Sequence, residues 1–299
     1  MPNTLAHIGI NGLLTRPFIK QADLILIYFG ALIPDIPWIF QRIVPALFPK
    51  IDLFDLRLYC VVVASLFFSA ILSFAFANIF SDTKRTFLIF SLGSLLHLLL
   101  DSIETKWANG VHLFAPFSWE LYNAGIFWPE NIFIYLLTAL GFLYLIWNWK
   151  KTLNPLLQFS LSRSKLMLSI IFVIIYLSFP FLLMNNAEEA NNHFVKTLRE
   201  YDNRPGKYFE IDRGKYIDNP KGDRLATSFN EELKVVNLNL SKSETMSIRG
   251  KFISKNEIQI LEYHVHSNRD LFTYIALLVI FLLSVKILIN KFRFKYRRA

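Results

Sequence analysis

Apolar and polar positions follow two regimes along this chain. Up to about residue 185 the apolar residues form long runs; from 185 to 269 they alternate singly with polar ones; a last run fills 271–288. About 20 apolar residues cross a bilayer core as a helix, so the runs predict membrane helices. The stretch 3–15, which holds His7, Asn11 and Gly12, is too short for that at ~1.5 Å per residue and is expected to lie at the interface or to enter part way. Leu24–Phe40 is the first long run, interrupted by Pro34-Asp35-Ile36-Pro37. Prolines there free backbone groups, which a membrane tolerates only against protein or water. Residues 42–57 read as a loop, Leu58–Phe80 as an unbroken span, Asp82, Lys84 and Arg85 as a turn, and Phe87–Ile103 as the central helix. Residues 104–130 are polar and aromatic, with Trp107, His112, Trp119, Tyr122 and Trp128, the composition of a membrane–water interface. Asn131–Trp149, Leu166–Met184 and Leu271–Leu288 bring the expected spans to six.

Between the last two spans the period changes to two. Lys207-Tyr-Phe-Glu-Ile-Asp, Leu233-Lys-Val-Val-Asn-Leu-Asn-Leu, Met246-Ser-Ile-Arg-Gly-Lys-Phe-Ile and Glu257-Ile-Gln-Ile-Leu-Glu-Tyr-His-Val-His alternate, and Arg204-Pro-Gly and Asn219-Pro-Lys-Gly supply turns. That pattern predicts strands, preceded by helix within 187–203. The fold class expected is a polytopic α-helical membrane protein, with a short N-terminal helix and a small β-rich extracytoplasmic domain. Its parts are a helical membrane domain over 1–155, a transmembrane helix and connection over 156–185, the β domain over 186–269, and a last helix with a basic tail over 270–299.

Composition sharpens this in three ways. Hydrophobic residues make up 54% of the 299, above the range of soluble domains. The formal net charge is +9, but the basic residues flank apolar runs, where they set orientation rather than bind nucleic acid. The tail Lys291–Ala299, the Lys150, Lys151, Arg163 and Lys165 loop, and Lys84 with Arg85 then share the cytoplasmic side, and the β domain faces outward. The tail also suits anionic lipid. The single cysteine, Cys60, excludes an intrachain disulfide and reads as a small core residue. The start of the chain has no basic region before its apolar stretch and is not read as a cleaved leader.

Candidate chemistry centres on His97 and Asp101, four residues apart in an apolar helix and therefore on one face. Ionisable groups inside a membrane segment are costly and point to function. His7 and Asp35 add the same donor types, nitrogen and carboxylate oxygen, that zinc and similar divalent ions take. Each has a bland alternative: an inter-helix ion pair for His97 with Asp101, an Asx turn beside proline for Asp35, an interfacial histidine for His7. His112 reads as a loop histidine or as a general base. Asp52 and Asp55 read as solvated, with Asp52 able to cap the next helix. His264 and His266 share a strand face near the outer membrane surface; they read as solvated, with reach to the same site as the alternative.

The order of His7, Gly30-Ala-Leu-Ile-Pro-Asp35, His97-Leu-Leu-Leu-Asp101 and Gly110-Val-His-Leu-Phe-Ala-Pro116-Phe-Ser118 resembles the YdjM-like (DUF457) membrane-bound metal-dependent hydrolases, a group distantly similar to zinc-dependent phospholipase C and the S1/P1 nucleases. The resemblance covers about residues 1–150. It implies a helical zinc site on His7, Asp35, His97 and Asp101, with Asp101 or His112 in acid–base roles, and hydrolysis of a phosphoester in a lipid-borne substrate. Those proteins carry a His-Arg-Gly-x-Thr-His-Ser element before the later His-x-x-x-Asp. The corresponding stretch here is Phe54-Asp-Leu-Arg-Leu-Tyr-Cys60, without histidine. The alternatives this leaves are fewer ions, replacement by Asp55 and other groups, or a non-catalytic scaffold whose β domain binds a partner. Ser247-Ile-Arg-Gly-Lys-Phe and Leu261-Glu-Tyr-His-Val-His are somewhat similar to OB-type barrels.

Overall fold

The computed structural model describes residues 3–220, 222–238, 240–267 and 270–296. The end of the basic tail, 297–299, lies outside them. Helices fill the first part: α1 Thr4–Phe18, α2 Leu24–Leu32, a 3-10 turn over Ile33–Asp35, α3 Ile36–Leu47, α4 Leu53–Val63, α5 Leu66–Ala77, α6 Thr83–Ser102, α7 Ile132–Trp147, α8 Trp149–Thr152 and α9 Arg163–Ser178. A second 3-10 turn, Phe179–Leu183, leads into α10 Met184–Ala190 and α11 Val195–Arg199, and α12 Asp270–Tyr296 closes the chain.

Three helical stretches are long and apolar enough to cross a membrane: Leu24–Leu47, Thr83–Ser102 and Arg163–Ala190. A fourth results if α4 and α5, bent by 73° at their junction, count as one span. Ile132–Trp147 and Leu271–Ile287 are apolar but shorter. Ile170, Ile171, Ile174 and Leu177 on α9 stand exposed, an apolar exterior that water disfavours and acyl chains accept.

Two expectations about these helices change. The run Leu58–Phe80 is broken, because Ser65 is extended and the Leu66 amide donates to the Leu113 carbonyl at 3.4 Å. A polar loop thus enters where an apolar run gives no warning. The loop expected over 42–57 shrinks to 48–52. Helix α3 continues through Pro45, and the Asp52 carboxylate caps α4 by accepting from the Phe54 and Asp55 amides at 2.8 and 3.0 Å.

Five strands form a closed barrel: β1 Tyr208–Ile217, β2 Arg224–Ala226, β3 Glu232–Val235, β4 Glu244–Phe252 and β5 Glu257–Val265, in the order 1-2-3-5-4. Every pairing is antiparallel except β3 with β5. The alternation holds because inward residues such as Phe209, Ile211, Leu225, Leu233, Met246, Ile248 and Ile258 are fully buried. Strand β2 is the element the pattern missed; three residues are too few to show a period.

The helices have two distinct ends. At one, the connections after α1, α5 and α8 meet: Arg85 donates to the Lys20 carbonyl at 2.5 Å, Lys165 to the Phe80 carbonyl at 2.7 Å, and the Leu156 amide to Asp23 at 2.9 Å. At the other, the 103–131 connection meets the barrel. The Ala108 amide donates to Glu210 at 2.7 Å, Asn109 to Asp212 at 3.2 Å, and Arg249 lies over the Trp107 ring at 4.6 Å.

Candidate metal centre

Close helix crossings set the site. Gly93 on α6 faces Gly30 on α2, where an added Cβ would come within 2.8 Å of the Gly30 carbonyl carbon. Small residues at such crossings let backbones approach. The approach brings the Ala31 carbonyl within 2.6 Å of His97 Nδ1. Helix α1 crosses α7 at Gly9 and Gly141 just as closely, and Asn3 ties its start to Thr138 at 2.6 Å. His7 thereby arrives against α6. The 3-10 turn made by Ile33-Pro-Asp places Asp35 beside them.

All four sequence candidates meet. His7 Nε2 lies 3.4 Å from Asp101 Oδ1; His97 Nε2 lies 3.5 Å from Asp35 Oδ1 and 3.7 Å from Asp101 Oδ2. The two imidazoles stack at 3.6 Å, 6° from parallel. Donor atoms of His7, His97 and Asp101 form a group able to hold a metal ion. Ligands ~2.1 Å from a tetrahedral ion stand about 3.4 Å apart, which the observed spacings fit. Only Asp35 keeps appreciable access, its side chain 17% exposed against 1–5% for the other three.

The proton arrangement is compatible with a cation. A carbonyl oxygen only accepts, so His97 Nδ1 carries the proton and donates to Ala31. In a neutral ring Nε2 is then a lone pair aimed at two carboxylates, acceptor against acceptor. His7 is fully buried, and neither of its ring nitrogens has a hydrogen-bond partner among the described residues. Asp101 Oδ1 also lacks one. Buried polar atoms left this way are rare and call for an explanation such as an ion.

Sequence reasoning missed two neighbours. Lys106 Nζ lies 3.2 Å from Asp101 Oδ2 and 3.9 Å from Glu104 Oε2, with all three side chains buried. They follow directly on α6, in a stretch read as interfacial loop. The only signal was charge spaced Glu104-x-Lys106.

Other candidates go elsewhere. Asp55, one suggested replacement for the missing histidines, pairs with Arg199 at 2.5 Å. Arg57 is buried over Trp38 and donates to Asn109 at 2.9 Å. Cys60 is a buried core residue, as read. His264 and His266 depart from the solvated face expected of them. Both turn toward Glu130, and His266 is buried. The alternation of β5 placed them together but could not show what packs over them.

His112 sits apart, its Nδ1 3.0 Å from the Trp119 carbonyl oxygen. Burial holds its imidazole below the ordinary 6.5; hydrogen bonds to the Trp119 and Glu120 backbone oppose this, and the Arg57 charge adds to it. The unfolded chain therefore takes up this proton first as pH falls. Stability held above about pH 6.5 is lost below it. His112→Gln is expected to flatten that part of the acid limb in thermal melts between pH 7.5 and 5.

No family model matches the chain, and no curated protein or solved structure matches it.

Proposed function

We propose that this chain is a multi-pass membrane protein holding one divalent ion, zinc by its donor set, on His7, Asp35, His97 and Asp101, and that it hydrolyses a phosphoester or related bond in a lipid-borne substrate. It would be a distant member of the YdjM-like hydrolases with a reduced ligand set. In this reading the shorter helices α7 and α12 join the longer ones to give six spans, in a bacterial inner membrane. The end carrying Lys20, Lys84, Arg85, Lys150, Lys151, Arg163 and Lys165 faces the cytoplasm, as the positive-inside rule asks. The barrel faces outward. We read its closed five-stranded barrel, with the order 1-2-3-5-4 and a parallel β3–β5 pair, as OB-like, and assign it no nucleic-acid role.

The observation that carries the reading is the buried meeting of His7, His97 and Asp101, whose donor atoms lie close enough together to share one ion. A bound ion lowers the pKa of its water toward 7 and draws electron density from a phosphoryl oxygen. The chain's own groups do the rest. His97 is held in one tautomer by Ala31. Asp35, the ligand candidate with access to solvent, is placed to take the proton of an incoming water. Lys106 offers positive charge to an anionic group near Asp101. His112 belongs to a different set of contacts and is the weaker base candidate.

The test is metal analysis of the full chain purified in detergent, together with His97→Ala and Asp101→Ala. Metal in the wild type and a drop of about one equivalent in both variants support the site; unchanged content in both removes it. Assays on lipid-borne phosphomonoesters and diesters then address the reaction.

One observation favours a second reading, a non-catalytic scaffold whose barrel binds a partner. Lys106 already neutralises Asp101, so the polar groups can be read as inter-helix hydrogen-bond glue. The readings differ on Lys106→Met. With an ion present Asp101 keeps a positive partner, and little stability is lost. Without one, the variant strands a buried carboxylate at a cost of roughly 3–5 kcal/mol, read as a large fall in melting temperature.

A further inference from the structure

A second cluster lies where the barrel meets the helices, and it shares no residue with the first. Glu130 lies near the end of the 103–131 connection; His264 lies at the end of β5 and His266 just past it. His264 Nε2 is 3.1 Å from Glu130 Oε2, and His266 Nδ1 is 3.0 Å from Glu130 Oε1. The His264 ring stacks on Trp128 at 3.8 Å and 4°, which fixes its orientation.

The protons can be followed outward from His266. Its Nε2 lies 2.7 Å from Ser247 Oγ. Ser247 has one proton, and the Asp212 carboxylate 2.8 Å away accepts it. Ser247 also accepts from the Arg213 amide at 3.2 Å. Toward His266 the hydroxyl therefore has only a lone pair left, and His266 Nε2 must carry a proton. In the neutral ring Nδ1 is then a lone pair, pointed at the Glu130 carboxylate. A carboxylate–hydroxyl–imidazole relay of this kind is what holds metal-ligating histidines in one tautomer.

We infer that Glu130, His264 and His266 form a second transition-metal site, with a two-imidazole, one-carboxylate donor set of the zinc type, that fastens the barrel to the helical part. Three protein ligands leave a fourth position open. The ion would join groups more than 130 residues apart in sequence, Glu130 on the helical side and His264 and His266 on the barrel. A doubly protonated His266 satisfies the same geometry without a metal, and such an arrangement loads no zinc.

The experiment is zinc titration of the full chain in detergent, after chelator stripping, against a competing chromophoric chelator. His264→Gln is compared with the wild type and introduced also into Asp101→Asn. Loss of about one equivalent on His264→Gln in either background is expected. It would appear even if the first site bound nothing, so failure of one proposal is distinguishable from failure of the other. Unchanged zinc in a His264→Gln chain that still elutes as folded overturns the inference. Should that variant not fold, crystals of the wild-type chain grown with zinc decide the question: anomalous scattering at the zinc edge is expected to give a peak between Glu130 and His266, and its absence is equally decisive.

Discussion

Asp101→Asn is expected to abolish tight metal binding at the His7, His97 and Asp101 centre, and hydrolysis with it, while leaving the chain folded. Asp101 is the residue the others share, lying 3.4 Å from His7, 3.7 Å from His97 and 3.2 Å from Lys106. An amide oxygen is a much poorer ligand than a carboxylate. Metal affinity should fall by more than the roughly 10–100-fold that loss of an outer-shell partner costs. The new amide N–H can donate to the His97 Nε2 lone pair, but Lys106 Nζ is left with Glu104 at 3.9 Å, so a lower melting temperature accompanies the lost metal. In the wild type, zinc at 100 times its dissociation constant should stabilise by about 2.7 kcal/mol, seen as a rise in melting temperature. The variant should lose the part of that rise due to this centre and keep only what the Glu130, His264 and His266 site contributes. Asp35→Asn separates binding from chemistry. With its side chain partly exposed, it should keep more of the metal affinity and lose turnover, with kcat falling more than KM rises. Equal zinc-dependent stabilisation of wild type and Asp101→Asn would sink the assignment.

The ligand candidates were legible because each is a polar residue in an apolar setting, where the cost of burial is itself a signal. His97 and Asp101 needed only helical spacing. His7 and Asp35 needed the further assumption that separate segments converge, which no periodicity contains. Lys106 was hidden for the opposite reason: charge in a loop is ordinary, and nothing local shows that the loop folds back under the helix end. The same limit applies to Glu130, whose partners are over 130 residues away. The bend at Ser65 left no trace because an apolar run reads alike whether straight or broken. The barrel was more open to reading. Its longer strands alternate over much of their length despite bulges in β1 and in the β4–β5 pairing, and β2 was too short to register.

Glycine shows best how packing decides the site without appearing in it. Gly141 lies in the middle of α7 and bears no chemistry, yet an added Cβ would stand 1.9 Å from the Leu5 carbonyl oxygen and 2.7 Å from its carbon. Backbone atoms cannot rotate aside as a side-chain end can, so Gly141→Ala must move α1 bodily. Restoring even a 3.0 Å contact needs a shift of about 1 Å, and overpacking of this kind costs typically 1–3 kcal/mol. Leu5 and His7 lie on the same turn of α1, so the shift carries the imidazole with it. A displacement of about 1 Å in a preorganised site costs on the order of 10²-fold. Gly141→Ala is therefore expected to lower the melting temperature and to weaken zinc binding by about that factor, though it touches no ligand. Leu143→Ala, on the exposed face of the same helix, should change zinc affinity little. If Gly141→Ala bound zinc as the wild type does, α1 would have to be free to slide without taking His7 along, and the crossing would not be what positions the site.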